Sequence, residues 1–390
     1  MTEYLEKYGS SYFIEKPICE VDEAIFSQLI YLDFKDIVNE GEEITLKEAA
    51  AKFYSIHTDV EIELLLGVVK RAAKILTLCS NSKRFGNVVL KHYINNINDA
   101  IDKQISGINF KLPDGSLVVA FRGTDATVAG FKESAMLSYM FPVPAQIEAL
   151  HYFQETAMVN IGDVYVCGHS KGGNLAEFAA VSCSNSLKKK LKGVYTFDAP
   201  GFPEWFFDRY DYKQIRDNIH NINPQGSLVG RALTTEKPAE IVVSNAKRSK
   251  QHNVATWVIT DDAFERTDAY SEESEKLSVY LNDLVKTIGE DDLEVFYDAL
   301  EKTAVQMGIS DFYDLKELDI NVMTVFIDSI QTLNSEQKKR LMAIAKKVMA
   351  DFAKEYVSDS ATKAKHYVKN VTQHIPFVKK NTEDEEKPEE

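Results

Sequence analysis

Hydrophobic and polar positions change rhythm twice along the chain. Between residues 111 and 262 short apolar runs recur at 117–121, 163–167, 193–197, 219–222 and 239–244. Gly, Pro, Asp or Asn bounds each run, and helical or loop stretches separate them. Apolar runs this short suit strands buried on both faces, and their alternation with helix suits a parallel sheet joined by crossovers. The prediction is an α/β core with helices on both faces of a mostly parallel sheet.

On either side the pattern is helical. Residues 1–110 read as a helical lead-in packing on the core. Ile25, Leu29 and Leu32 recur at helical spacing behind Asp22 as a cap. Thr45 and Glu48 have capping-box spacing, and residues 64–78 suit another helix. Residues 263–380 return to helix, and 381–390 read as an acidic disordered tail. No internal repeat or long low-complexity linker interrupts the chain.

The charge is uneven. The 390 residues carry 45 Lys+Arg and 60 Asp+Glu, a net −15, which argues against general binding of nucleic acid. A hydrophobic content of 44 % argues equally against a wholly disordered chain. Residues 338–380 hold eleven Lys/Arg against three acids, and the ten that follow hold six acids and one lysine. Two readings of the basic stretch stand: a solvated helix face, or an amphipathic segment that contacts anionic membrane peripherally. The N-terminus shows neither a basic lead nor an apolar stretch of signal-peptide type, and no run of about 18 apolar residues occurs. Cys19, Cys79, Cys167 and Cys183 are scattered, without zinc-type spacing. They read as reduced thiols, and a cytoplasmic location is the expectation.

One segment carries chemistry. Gly168-His169-Ser170-Lys171-Gly172 fits G-x-S-x-G, the nucleophile elbow, in which a serine sits on a very tight strand-to-helix turn. Neighbours without Cβ atoms let that turn close. The pentapeptide recurs by chance, but here a β-branched run precedes it and an Ala-rich helix former follows it. A serine hydroxyl needs a base, and the base needs an acid to hold its tautomer. Asp198, in Tyr195-Thr-Phe-Asp198-Ala-Pro-Gly201, falls at the C-terminal edge of the next strand, where α/β sites form; its other reading is a turn cap. Among the later histidines His252 follows the last strand in a polar loop, so it is the candidate base. His220 lies inside a strand, while His366 and His374 fall in the basic region. Backbone N–H groups for an oxyanion are expected from Lys171 and from Thr124, in the glycine turn after strand 117–121; a plain turn is the alternative for the latter.

Together these pieces resemble the class 3, fungal-type lipases among the α/β-hydrolases. Phe121-Arg-Gly-Thr124 is similar to that group's oxyanion loop, 130–133 to its following Gly/Asn-Trp-x-x-Asp/Glu stretch, and 168–172 to its elbow. Residues 20–262 more closely resemble the bacterial Mbeg-like family of lipase-like hydrolases, which also has a helical lead-in and a Gln-His segment like Gln251-His252. The resemblance implies hydrolysis of a carboxylic ester without naming it. One departure stands out: where fungal-type lipases place a late acid, this chain has Ser227. That favours Asp198 as the acid, or else an incomplete triad.

The expectation is therefore a serine ester hydrolase using Ser170, His252 and Asp198, with Lys171 and Thr124 N–H groups at the oxyanion. Its substrate would be an acyl ester or similar lipid-like molecule, and neither metal nor organic cofactor is called for. The competing expectation is a catalytically silent hydrolase fold serving as a binding or scaffold module. The apolar, Pro-broken segment 131–145 reads either as a lid or as core packing.

Overall fold

The five apolar runs expected as strands all fall in strands, the first buried along its whole length and the later ones also carrying polar residues such as Lys192, His220 and Glu240. In the computed structural model, which describes residues 1–64, 67–125 and 128–287 with 293–295, 335–336 and 339 beyond them, they belong to one mixed sheet. Its strands are β1 (Ile44–Thr45), β2 (Val89–Asn98), β3 (Lys103–Lys111), β4 (Leu117–Phe121), β5 (Val164–His169), β6 (Leu191–Phe197), β7 (Ile219–Pro224) and β8 (Glu240–Val242), lying in that spatial order. Pairing is antiparallel from β1 to β4 and parallel from β4 to β8. A small hairpin, β9 (Ile259–Thr260) with β10 (Ala263–Phe264), stands apart.

The helices follow the same logic. They are α1 (Thr2–Tyr8), α2 (Glu20–Leu29), α3 (Leu46–Ile56), α4 (Asp59–Leu64), α5 (Gly67–Ser80), α6 (Val128–Met136), α7 (Pro144–Met158), α8 (Lys171–Ser182), α9 (Asn185–Lys188), α10 (Tyr210–Ile215) and α11 (Glu272–Thr287). Val118 and Ala120 of β4 pack with Ile25 and Leu29 of α2 and Leu76 of α5. Leu117, Val119 and Phe121 of the same strand pack with Ala149 and Phe153 of α7 and Leu175 and Ala179 of α8. Alternate residues of one strand thus feed two cores, one on each face. The fold is of the α/β-hydrolase type.

The chain divides into two compact units, the first holding Met1–Lys286 and the second drawn mainly from the residues after it. Nearly all of the second unit, including the basic stretch 338–380 and the acidic tail 381–390, lies outside the described residues.

One expectation about the lead-in is corrected and another made specific. Helix extends only to Ser80, and residues 89–111 form the β2–β3 hairpin that widens the sheet. Its strand character is hidden because Gln104, Ser106 and Asn109 are polar yet buried. Each makes a side-chain bond: Gln104 Oε1 accepts from Lys171 (2.7 Å), Ser106 donates to the Ile94 carbonyl (2.9 Å), and Asn109 Oδ1 accepts from Tyr152 (3.0 Å). Asp22 caps α2 from inside it: Cys19 is the N-cap, and Asp22, the third helical residue, closes a capping box. The helix begins at Glu20, and Asp22 sits in its first turn accepting from the Cys19 N–H (3.0 Å), Tyr4 (2.8 Å) and the fully buried Arg84 (2.8 Å). Thr45 and Glu48 likewise exchange bonds as a capping box at α3 (3.2 and 3.0 Å).

Burial leaves a titratable mark on α8. It pushes the Glu177 carboxyl up to about 8. From about pH 4.5 to 8 the folded chain therefore holds a proton that the unfolded chain has released, and stability falls as pH rises through that window. Glu177→Gln is expected to raise Tm at pH 8, with the gain shrinking towards pH 4.5. Melting curves at both pH values check this, and a gain independent of pH would contradict it.

Candidate active site

Every sequence-predicted site residue follows a strand of the parallel half at its C-terminal end, where open α/β sheets place their ligands. Ser170 comes directly after β5, Asp198 directly after β6, Thr124 three residues after β4, and His252 ends a 3₁₀ turn beyond β8.

The elbow is tight. Ser170 has φ 57° and ψ −133°, a backbone conformation that L residues avoid, and such strain persists only where surrounding structure enforces it. The Ser170 N–H donates to the Phe197 carbonyl (2.9 Å), while the Ser170 carbonyl accepts from Gly173 (2.9 Å) at the start of α8. A Cβ at Gly168 would collide with the backbone of Gly172, and one at Gly172 with the carbonyl of Phe121. The two glycines thus let the helix close on the strand and on the loop after β4. A Cβ at Gly123 would likewise press on the His169 carbonyl and come within 3.3 Å of Ser170 Cβ. The 121–124 loop therefore lies against the elbow at Gly123.

Asp198 and His252 meet directly. The His252 Nδ1–H donates to Asp198 Oδ2 at 2.7 Å, and the acid is buried. Its other oxygen accepts from the Gly230 N–H (3.0 Å) and from the Ser227 hydroxyl. Ser227, which occupies the place of the missing late acid, is a donor to the early one. The Gln251 side chain accepts from the Gly226 N–H (2.9 Å), and the Trp257 indole donates to the Gln251 carbonyl (2.7 Å). Both bonds pin the turn that carries His252. Helix α11 braces the same region: Ser274 bonds the Ser227 carbonyl, and Asn282 bonds Leu233 N–H (3.0 Å) and the Arg231 carbonyl (2.8 Å).

Sequence points only to the Lys171 N–H, but its side chain is also part of the site's framework. Its amine is buried and donates to the Gln104 carbonyl (2.8 Å), Gln104 Oε1 (2.7 Å) and Glu133 (3.0 Å). Burial pulls its pKa down and the Glu133 carboxylate opposes that pull. Glu133 also accepts from the Ala145 N–H (2.7 Å), and its neighbour Ser134 bonds the Thr124 hydroxyl (2.5 Å). Paired charges thus tie the first turn of α8 to α6, which follows the Thr124 loop.

Two further residues escaped the sequence reading. His169 is buried between Tyr31 and His252: Tyr31 lies 2.8 Å from its Nδ1, and its Nε2 lies 2.7 Å from the His252 carbonyl. The two imidazole rings stand 4.4 Å apart. Burial, then the neighbouring His252, hold the His169 pKa well below the ordinary imidazole value. His169 was in plain view inside the motif, but only its partners give it meaning.

Elsewhere the expectations divide. His220 stacks on Tyr195 (4.6 Å) and meets Glu240 (3.1 Å); it belongs to the sheet. His366 and His374 lie outside the described residues. In segment 131–145, Met136, Leu137 and Val143 are buried together, and the Phe141 ring sits among Phe178, Phe202, Trp205 and Phe206. Met140 and Trp205 remain exposed. Among the described residues no group of His, Cys, Asp and Glu could hold a metal ion, and no helix is long and apolar enough to cross a membrane.

The chain belongs to the Mbeg1-like family, whose signature matches residues 79–302, more than half of the sequence. No curated protein sequence matches it closely enough to count as a relative. Among solved structures it is similar to M37 lipase, at 16 % identity over 69 % of this chain and 79 % of that one (TM-score 0.34). It is also similar to the Rhizomucor miehei lipase–propeptide complex, at 11 % identity over 58 % and 68 % of the two chains (TM-score 0.34). A third is the lipase of Rhizopus microsporus var. chinensis, at 14 % identity over 62 % and 87 % (TM-score 0.33).

Proposed function

We propose that this Mbeg1-like protein is a serine hydrolase of carboxylic esters. The observation that carries the reading is the 2.7 Å bond from His252 to an Asp198 held on its far side by Ser227 and Gly230. A strained Ser170 on a strand-to-helix elbow supports the same reading. In this reading Ser170 Oγ attacks the ester carbonyl while His252 Nε2 takes its proton. Asp198 stabilises the imidazolium, and N–H groups of Lys171 and Thr124 receive the oxyanion. The imidazolium then protonates the departing alkoxide, leaving an acyl-serine and a free alcohol. Water, deprotonated by the same imidazole, cleaves the acyl-serine to a carboxylic acid and restores the hydroxyl. Neither metal nor organic cofactor takes part.

The substrate proposed is an acylglycerol, lysophospholipid or similar acyl ester. The exposed Met140 and Trp205, beside the buried rings around Phe141, support an apolar substrate. Cytoplasmic location, and contact of residues 338–380 with anionic membrane, belong to the same proposal. The test is pre-steady-state hydrolysis of nitrophenyl esters from acetate to laurate. A burst of about one nitrophenol per chain, followed by slower turnover, is expected of an acyl-enzyme. Folded protein that turns over no ester in the series would overturn the hydrolase reading and leave the binding-module one.

A further inference from the structure

We propose that Tyr31, from the lead-in ahead of the family-matched region, is a positioning residue for His252 and acts through His169. The inference rests on the hydrolase reading and extends it to a residue outside the motifs.

The hydrogen bonds leave one arrangement. A carbonyl oxygen only accepts, so the 2.7 Å contact between His169 Nε2 and the His252 carbonyl requires the proton on Nε2. Burial keeps His169 neutral, which makes its Nδ1 an acceptor. The Tyr31 hydroxyl at 2.8 Å must therefore be the donor. Tyr31 fixes the tautomer of His169, and His169 in turn holds the backbone of the residue that carries the base.

The same hydroxyl touches a second part of the site. A Cβ at Gly123 would collide with Tyr31 Oη and with the His169 carbonyl. Tyr31, itself buried, therefore stands where the Thr124 loop, the elbow and the His252 turn converge. It reaches that point because it leaves the C-terminal end of α2, which packs on the sheet face formed by Val118, Ala120 and Cys167. These three loops come from distant parts of the chain, and one phenol bridges them.

Without the hydroxyl, His169 Nδ1 loses its donor and the ring is free to exchange tautomer or rotate. Its grip on the His252 carbonyl then weakens. Misplacement of a base by a fraction of an ångström reduces the rate of proton transfer more than it reduces ester binding. Tyr31→Phe, nearly isosteric, is expected to lower kcat about tenfold per fluorophosphonate-titrated site, with KM within about twofold. His169→Gln, whose amide can still donate to the carbonyl, should keep more activity than His169→Leu. A packing role alone would not produce that order.

A second readout does not depend on turnover. The downfield proton NMR signal of His252 Nδ1–H, bonded to Asp198, should broaden or shift in Tyr31→Phe. An unchanged kcat and an unchanged signal in folded Tyr31→Phe would overturn the proposal. If wild type hydrolyses no ester yet the signal moves in the variant, the positioning role stands and the hydrolase reading falls.

Discussion

Replacing Asp198 by Asn is expected to lower kcat on a nitrophenyl ester about 10⁴-fold while the protein still folds. The size follows from the direction of three bonds. Ser227 and the Gly230 N–H both donate to Asp198 Oδ1, and His252 Nδ1 donates to Oδ2. An asparagine must keep its oxygen towards Ser227 and Gly230, because both of those groups are donors. Its NH₂ then faces His252 and forces the imidazole to accept at Nδ1 and to carry its proton on Nε2. A base already protonated at Nε2 cannot take the Ser170 proton. Steady-state kinetics beside a thermal melt tests this; activity within tenfold of wild type would reduce Asp198 to a turn cap.

The largest loss of stability is expected at the charged pair under the elbow. Lys171 and Glu133 have side chains 1 % and 0 % exposed, so removing one partner strands the other without solvent. Glu133→Leu would leave the Lys171 charge with only the neutral Gln104 acceptors, and would strand the Gln104 and Ala145 N–H groups that Glu133 now satisfies. Such a loss costs about 3–5 kcal/mol. The double variant Glu133→Leu/Lys171→Met removes the stranded charge and should lose less than the two single variants added together. Urea unfolding of the four proteins decides it. Additive losses would mean that the two side chains do not act as a pair. Because Ser134 holds the Thr124 hydroxyl, Glu133→Leu should also lower activity below its melting temperature.

What could be read from the sequence was mostly local. The strand, turn and helix around Ser170 lie in one stretch, and the glycine requirement acts between near neighbours. The strands β4 to β8 were visible because each carries a short apolar run bounded by turn residues, β4 being apolar and buried along its whole length. Asp198 and His252 could be named from their order along the chain and their places after strands. The β2–β3 hairpin was not legible, since its buried Gln104, Ser106 and Asn109 look like loop residues until their bonds to Lys171, Ile94 and Tyr152 are known. Ser227 reads in sequence as the absence of a late acid, and no local pattern shows that its hydroxyl bonds Asp198. Tyr31 meets His169 across 138 residues. No pattern in either segment alone announces that contact.

The most direct measurement is labelling by a fluorophosphonate, which requires a serine activated by a neighbouring base. Wild type should be labelled at one site, and Ser170→Ala, folded to the same melting profile, should not be labelled. Folded wild type that takes no label, or label that persists in Ser170→Ala, would contradict the account.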